Sequence, residues 1–195
     1  MGRDKALLPL GNKTFLLHLI ETFEGVVSPL LVVLGHHRQY IQEQIGDIPG
    51  VLFLSNPDYP QGQLSSLQVA LRHLKGESIS GAVVCLVDHP LLSLKVIDSL
   101  LERFRESSAP IVIPTFQGRR GHPVVFNSSL FEELLNAPVD QGARVVVRRH
   151  GEELKLVEVD DGGILADIDR PGEYAELLKN WSRTSRRKPD LPEQF

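Results

Sequence analysis

The stretch Ala82 to Pro90 (AVVCLVDHP) decides the fold. Its first six residues are apolar at every position, and a run that is apolar on both faces is typical of a central strand covered by helices on each side. Asp88 follows this run directly, and Pro90 favours extended backbone at His89. Because ligands of open α/β sheets bind outside the carboxyl ends of the strands, Asp88 is a candidate ligand for a hard divalent cation. Taken alone, Asp88 is equally well explained as the start of a turn.

On either side of this strand, short β-branched runs alternate with longer amphipathic segments, which is the pattern of βα units. Further strands are predicted at Leu30 to Leu34, Val51 to Leu54, Ile111 to Ile113, Pro123 to Phe126 and Leu154 to Val159, the last as an edge or antiparallel strand. Helices are predicted after the capping residues Thr14, Ser93, Ser129 and Asp140. We therefore expect one three-layer α/β domain over residues 1–181, with a mostly parallel sheet, and a disordered basic tail over residues 182–195.

Composition excludes several classes of protein. The 195 residues carry a net charge of -4, so an overall attraction to nucleic acid is absent, and the basic tail leaves the body more acidic still. No apolar stretch approaches the ~20 residues of a membrane span. The single cysteine, Cys85, rules out a disulfide framework, and its place in the apolar run predicts an inert thiol. We expect a cytoplasmic protein without a nucleic-acid or membrane partner.

A second acidic motif, Asp167-Ile168-Asp169-Arg170-Pro171, lies near the end of the predicted domain. Carboxylates at positions i and i+2 of an extended segment point the same way, so either could reach a cation shared with Asp88. Such a cation would explain how an acidic protein accepts a polyphosphate, because the metal bridges like charges. The alternative is an acidic surface loop ahead of a helix.

Two glycine-containing loops are candidate phosphate or nucleoside sites. In Gly62-Gln63-Leu64-Ser65-Ser66 the loop leads into a helix, where backbone N–H groups and hydroxyls suit a phosphate or ribose, although a plain serine cap is the more frequent arrangement. In Gly118-Arg119-Arg120-Gly121-His122-Pro123 the guanidinium groups could bind phosphate or simply solubilise a hairpin tip. The chain has neither a Walker-type phosphate loop nor a Gly-x-Ser-x-Gly elbow, which disfavours an ATPase or a serine hydrolase.

Taken together and in this order, six motifs resemble the molybdenum cofactor cytidylyltransferase family, within the wider MobA-like NTP transferase superfamily and its Rossmann-like sheet. The motifs are Met1 to Pro9, Asn56 to Leu67 (NPDYPQGQLSSL), Asp88-His89-Pro90, Gly121-His122-Pro123, Gly142-Ala143-Arg144 and Asp167 to Pro171. Each motif is weak by itself, and Gly-His-Pro is the most diagnostic of this branch. The resemblance spans most of residues 1–178.

The resemblance implies transfer of CMP from CTP to a molybdopterin-type molybdenum cofactor, with release of pyrophosphate. By this resemblance, Asp88 and Asp169 would hold Mg²⁺, and Lys5 would neutralise charge on the phosphates. Gly62, Ser65 and Ser66 would lie beside the nucleoside. His122 and Arg144 would face the pterin substrate. By itself Lys5 would be an ordinary solvated lysine. No side-chain nucleophile is required, because phosphoryl-type transfer depends on in-line positioning and charge neutralisation. A molybdoenzyme or its maturation chaperone is the implied protein partner.

Three departures from the family pattern stand out. His89 replaces a glutamine and Arg170 a threonine, while the neighbouring acids and prolines are kept. The chain also starts at the methionine of the family's Arg-Met-Gly, so the first strand and the glycine-rich phosphate loop are missing. Met1 is the only methionine, and we expect that it is an internal position of a longer polypeptide. An in-frame stop within the ~25 codons upstream, roughly one strand and loop, would refute this expectation.

Two other functions are consistent with the same motifs. One is a guanylyl- or sugar-nucleotide transferase of the same fold. The loop that discriminates the base belongs to the missing segment, so the choice of CTP as substrate rests on the Gly-His-Pro motif alone. The other is a non-catalytic protein that binds nucleotide or cofactor without turnover, since the phosphate loop is absent. Pyrophosphate release, and its loss in Asp88→Asn, would distinguish the enzymes from the binding protein.

Overall fold

The computed structural model describes residues 4–185, with side chains to residue 182, and shows a sheet covered by helices. The strands are β1 (Pro9–Leu10), β2 (Lys13–Thr14), β3 (Leu30–Leu34), β4 (Val51–Ser55), β5 (Gly81–Val84), β6 (Ile111–Phe116), β7 (Arg119–Arg120), β8 (Val124–Asn127) and β9 (Lys155–Glu158). The helices are α1 (Phe15–Phe23), α2 (Arg38–Ile45), α3 (Gln63–His73), α4 (Leu94–Glu106), α5 (Phe131–Asn136), α6 (Arg144–Arg149) and α7 (Pro171–Ser185). Among the described residues, no helix is both long enough and apolar enough to cross a membrane.

The sheet is mixed, where the sequence predicted a mostly parallel one. Strands β3 and β4 form a parallel pair, and β9 pairs with β6 in parallel as an outer strand. Strand β8, however, is antiparallel to both β5 and β6. The reason is the short connection after β6, where a hairpin through Gln117 and Gly118 reverses the chain and leaves no room for a helical crossover.

Strand β5 is shorter than the apolar run that predicts it, and it is not paired on both edges. It ends at Val84, and Cys85 to Val87 continue as irregular backbone towards Asp88. Within residues 4–185, β5 pairs only with β8, and β3 pairs only with β4. The other edges of β3 and β5 line one cavity of about 750 Å³, together with apolar residues of α1 and α3.

Helices cover both faces of the sheet and bury alternate residues of β6. Val112 packs with residues of α1 and α4, among them Phe23 and Ile97, in one core cluster. Ile111 and Ile113 pack on the opposite face, in a cluster that holds residues of α3, α5 and α6. The two clusters are the two interlayer cores expected of a three-layer α/β domain.

Helix starts follow the sequence prediction in part. The Thr14 hydroxyl accepts a hydrogen bond from the Leu17 N–H, as a cap should. The Ser93 hydroxyl instead donates to Asp161, and Asn127 rather than Ser129 accepts the bond at the next helical turn. Asp140 lies in a short 3-10 turn before α6 begins at Arg144. The Ser93 cap is absent because a tertiary partner, Asp161, binds the same hydroxyl group.

Helix α7 continues to Ser185, so the first four residues of the predicted tail are helical. The remainder of that predicted segment, residues 186–195, lies outside the described residues, as do residues 1–3 of the first motif.

Candidate active site

Three charged residues that are far apart in the sequence meet beyond the end of β5. The Lys5 ammonium donates to Asp88 Oδ2 at 3.0 Å and also to Asp169 Oδ1. Because both carboxylates bond to the same nitrogen, their bonded oxygens lie within about 6 Å of each other, two hydrogen-bond lengths. Lys5, which gave no signal on its own, therefore lies at the centre of the group.

Backbone pairing and apolar packing bring these segments together. The Ile168 N–H donates to the Asp88 carbonyl at 3.0 Å, which fixes the acidic motif beside the end of β5. The Ile168 side chain is buried in a cluster with Leu8, Leu10 and Phe15, which follow Lys5 in the sequence. The packing of one apolar residue between two aspartates thus positions Asp167 and Asp169 at the site.

The charges of this group perturb one another. Burial lowers the pKa of Lys5, but the hydrogen bonds and charges of Asp169 and Asp88 outweigh it, and the net pKa is raised. The hydrogen bond from Lys5 in turn lowers the pKa of Asp169. Burial, reinforced by the charges of Asp88 and Asp169, raises the pKa of Asp167. The ammonium therefore stays charged and offsets the repulsion among three carboxylates.

Two histidines lie on the other side of Asp88. The rings of His89 and His122 are 4.8 Å apart between centroids, and the Nδ1 atoms of both are buried without a hydrogen-bond partner. Burial lowers the pKa of both histidines, and the neighbouring His89 further lowers that of His122. Asp88 Oδ1 is buried and unpaired in the same way. One oxygen of Asp88 thus binds Lys5, while the other lies 3.9 Å from Nε2 of His89.

The Gly62 loop is held by a buried asparagine. Asn56, which follows β4, is 1% exposed, and its amide donates to the hydroxyls of Ser65 at 2.8 Å and Ser66 at 2.9 Å. The Ser65 hydroxyl donates onward to backbone carbonyls of the loop, so it is engaged within the protein. Ser66 lines the same cavity as Asp88. The sequence motif included Asn56 but gave it no role; a buried polar residue directly after a strand was the available signal.

The predicted basic residues lie further out. Arg144 is exposed at the start of α6, and its Nε donates to the Gln141 carbonyl at 3.0 Å. No hydrogen bond or ion pair among the described residues joins it to Asp88 or Asp169. Arg119 and Arg120 are exposed on the β7 hairpin. The structure thus brings Lys5, Asp88, Asp169 and His122 together and leaves these arginines outside the group.

Cys85 behaves as the sequence predicts. Burial, with a further contribution from the charge of Asp88, raises the pKa of its thiol to about 12. A thiol that stays protonated at neutral pH is a poor nucleophile.

Comparisons with known proteins agree on one family. The family model described as "MobA-like NTP transferase domain" matches residues 1–154. The chain is 24% identical to the molybdenum cofactor cytidylyltransferase of Escherichia coli strain K12 over 93% of this chain and 91% of that one. It is 34% identical to a probable molybdenum cofactor guanylyltransferase of Rhodopirellula baltica, over 58% of this chain and 54% of the relative.

A solved structure shows the same fold. The Rv0371c protein of Mycobacterium tuberculosis, crystallised in complex with manganese, superposes with a TM-score of 0.75 at 24% identity, covering 91% of this chain and 93% of that one. The predicted Rossmann-like α/β class is confirmed by this likeness.

Proposed function

The chain belongs to the MobA-like NTP transferase domain family, and from this membership we propose that it transfers CMP from CTP to a molybdopterin-type molybdenum cofactor, releasing pyrophosphate. Nucleotidyl transfer is the activity common to the relatives that are named as cytidylyl- and guanylyltransferases. The choice of CTP rests on the Gly121-His122-Pro123 motif alone, because a probable guanylyltransferase relative covers this chain as fully as the cytidylyltransferase does.

The observation that carries the proposal is the meeting of Lys5, Asp88 and Asp169 beyond the end of β5, where Asp88 lines the same cavity as Gln63 and Ser66 of α3. A nucleoside triphosphate placed beyond the end of β5 would have a cation-binding group at its phosphates and polar groups of a helix start beside its nucleoside. We propose that Lys5 binds the phosphates and that Gly62 and Ser66 bind the nucleoside. Because the Ser65 hydroxyl is held by the loop itself, we assign Ser65 to maintaining the loop's shape.

The proposed reaction needs no side-chain nucleophile. A terminal phosphate oxygen of the cofactor attacks the α-phosphorus of CTP and forms a new P–O bond. The bond from that phosphorus to the oxygen bridging to the β-phosphate breaks, and the electron pair leaves with pyrophosphate. What the protein must supply is alignment of the two phosphates and cancellation of their charge.

The donor set at the site fits a divalent cation. Asp88 and Asp169 present carboxylate oxygens within about 6 Å of each other, and such oxygens are the ligands that Mg²⁺ prefers. We propose that Asp88 and Asp169 hold Mg²⁺. When bound, the cation would neutralise the triphosphate and the developing charge on pyrophosphate. Lys5 contributes a second positive charge to the same place, and it stays protonated because its pKa is raised by the two carboxylates.

The second substrate is assigned to the side of the site opposite Lys5. His122 lies next to Asp88 through its contact with His89, so it could face a pterin bound there. Arg144 would have to reach the same substrate from the start of α6, where its side chain is exposed. We further propose a cytoplasmic location and delivery of the product to a molybdoenzyme or its maturation chaperone.

The test is pyrophosphate release from CTP in the presence of Mg²⁺ and the cofactor. We expect Asp88→Asn and Lys5→Met each to lower the rate by about 100-fold or more, since each removes a charge that acts on the transition state. Asp98→Asn, in the exposed face of α4, is the matched control and should leave the rate unchanged.

Parallel assays with GTP separate the alternatives. Faster release from GTP than from CTP would favour guanylyl transfer and reject cytidylyl transfer. Binding of nucleotide and cofactor without any pyrophosphate would contradict the enzyme and favour a binding protein.

A further inference from the structure

Three polar atoms at one point of the structure are buried without a hydrogen-bond partner. They are Asp88 Oδ1, His89 Nδ1 and His122 Nδ1. Native interiors rarely leave such atoms unsatisfied, and a cluster of them calls for a specific explanation such as an ion. His89 is 6% exposed, so solvent cannot readily serve as its partner.

The spacing of the donors suits a metal ion. One ligand atom from each of Asp88, His89 and Asp167 lies within 4.8 Å of the others. Two ligands on opposite sides of an ion, at bond lengths of about 2.1 Å, are roughly 4.2 Å apart. The ligand atoms would therefore need to move together by only about half an ångström to bind one ion. His89 Nε2 lies 3.9 Å from Asp88 Oδ1, which is too long for a hydrogen bond, and an ion bound between these two atoms would give the unpaired Oδ1 a partner.

Asp88 divides its two oxygens between different neighbours. Oδ2 accepts from Lys5, which also binds Asp169, whereas Oδ1 is directed to the histidine side. A cation on Oδ1 would therefore leave the Lys5–Asp169 contact in place. The His89 ring is held on its outer side by His122, whose backbone N–H donates to the Ile164 carbonyl at 3.0 Å.

We infer that Asp88, His89 and Asp167 form a second cation site, which takes a borderline transition-metal ion such as Mn²⁺, Co²⁺ or Zn²⁺ in preference to Mg²⁺. Imidazole nitrogen is a good ligand for these ions and a poor one for Mg²⁺, which keeps oxygen ligands and water. A role for this site beside the triphosphate rests on the proposed function. Binding of the metal itself does not require turnover and can be measured separately.

The test is titration of the full chain with Co²⁺, without nucleotide, followed by visible absorption and by calorimetry, with Mn²⁺ and Mg²⁺ in parallel. We expect one Co²⁺ per chain and binding at least 10-fold tighter than that of Mg²⁺. His89→Gln and Asp167→Asn should each weaken Co²⁺ binding at least 10-fold, and His89→Gln should also shift the Co²⁺ spectrum towards that of an all-oxygen site. Asp169→Asn should change Co²⁺ affinity less than 3-fold, and Asp98→Asn should change nothing.

Unchanged Co²⁺ affinity in His89→Gln, or loss of binding in Asp169→Asn alone, would overturn the site. If His89→Gln fails to fold, Asp167→Asn decides the question, because Asp167 is exposed and its loss creates no cavity. A chain that binds Co²⁺ as expected but never releases pyrophosphate would reject the proposed function and leave the site standing. A chain that releases pyrophosphate but does not bind Co²⁺ would reject the site alone.

Discussion

Lys5 illustrates how much of a site depends on contacts that local sequence does not encode. A lysine near a chain terminus is ordinarily solvated, and only the resemblance to a family assigned it a role. Its position follows from the burial of Leu8 and Leu10 with Ile168, which are more than 150 positions apart in the chain. Asp88 differs, because it follows an apolar strand-like run that places it at a predictable edge of the sheet.

The two neutral histidines predict a pH dependence of stability. Burial lowers the pKa of His89 and His122 in the folded chain, whereas in the unfolded chain both titrate near 6.5. Below pH 6.5 the unfolded state therefore binds more protons than the folded state, and stability falls as pH is lowered. We expect the free energy of unfolding, measured with urea, to decrease from pH 7 to pH 5.

A double variant isolates this effect from other titrating groups. His89→Gln with His122→Asn should flatten the decrease, because neither new side chain titrates. His150, whose pKa is raised mainly by its hydrogen bond to Glu133, contributes in the opposite sense, and it is common to both proteins. An equally steep decrease in the double variant would show that these histidines are not the cause.

At the scale of elements, the loop before β8 depends on a glycine. A Cβ on Gly121 would lie 2.4 Å from the Ile164 carbonyl oxygen, which accepts the hydrogen bond of His122. The Gly121 N–H also donates to Pro114 at 2.9 Å, so the loop cannot move away freely. Gly121→Ala should therefore displace the Ile164 turn and the acidic motif beyond it.

We expect Gly121→Ala to lower the free energy of unfolding by about 2–3 kcal/mol and to lower activity as well. Urea denaturation and the pyrophosphate assay measure the two effects. Gly172→Ala is the matched control, since among the described residues nothing beyond its chain neighbours and its own helix backbone lies within 4 Å of its Cβ position, in the first turn of α7. A loss of stability no larger than that of the control would contradict the steric argument.

The elements themselves were largely predictable, and their pairing was not. Every predicted strand is present within a few residues, because β-branched runs and amphipathic periods are local signals. The antiparallel insertion of β8 depends on the Gln117–Gly118 hairpin, and an apolar run carries no information on the direction of its strand. Likewise no role for the His89 side chain is predicted from the sequence, since its unpaired nitrogen and its contact with His122 appear only once the chain is folded.

At the scale of the whole molecule, the sheet consists of two parts separated by the cavity between β3 and β5. The two strands run in the same direction, because Asp4 bonds His37 just beyond β3 while Lys5 bonds Asp88 just beyond β5. A strand laid in the cavity, parallel to both, would end beside Asp4. Its residues would contact apolar side chains of α1 and α3, such as Leu16 and Leu71.

The expectation that a strand precedes Met1 stays a prediction, and this cavity provides a way to test it. We expect a chain lengthened by the ~25 codons upstream to fill the cavity with about five apolar residues. Burial of these side chains against the apolar lining of the cavity should raise Tm. Calorimetry measures the Tm, and binding of an apolar fluorescent dye, expected for the shorter chain, should be lost.

An extension of equal length made of glycine and serine should change neither quantity, because it cannot make apolar contacts with the lining of the cavity. If the natural extension behaves like the glycine–serine one, no strand from that segment occupies the cavity.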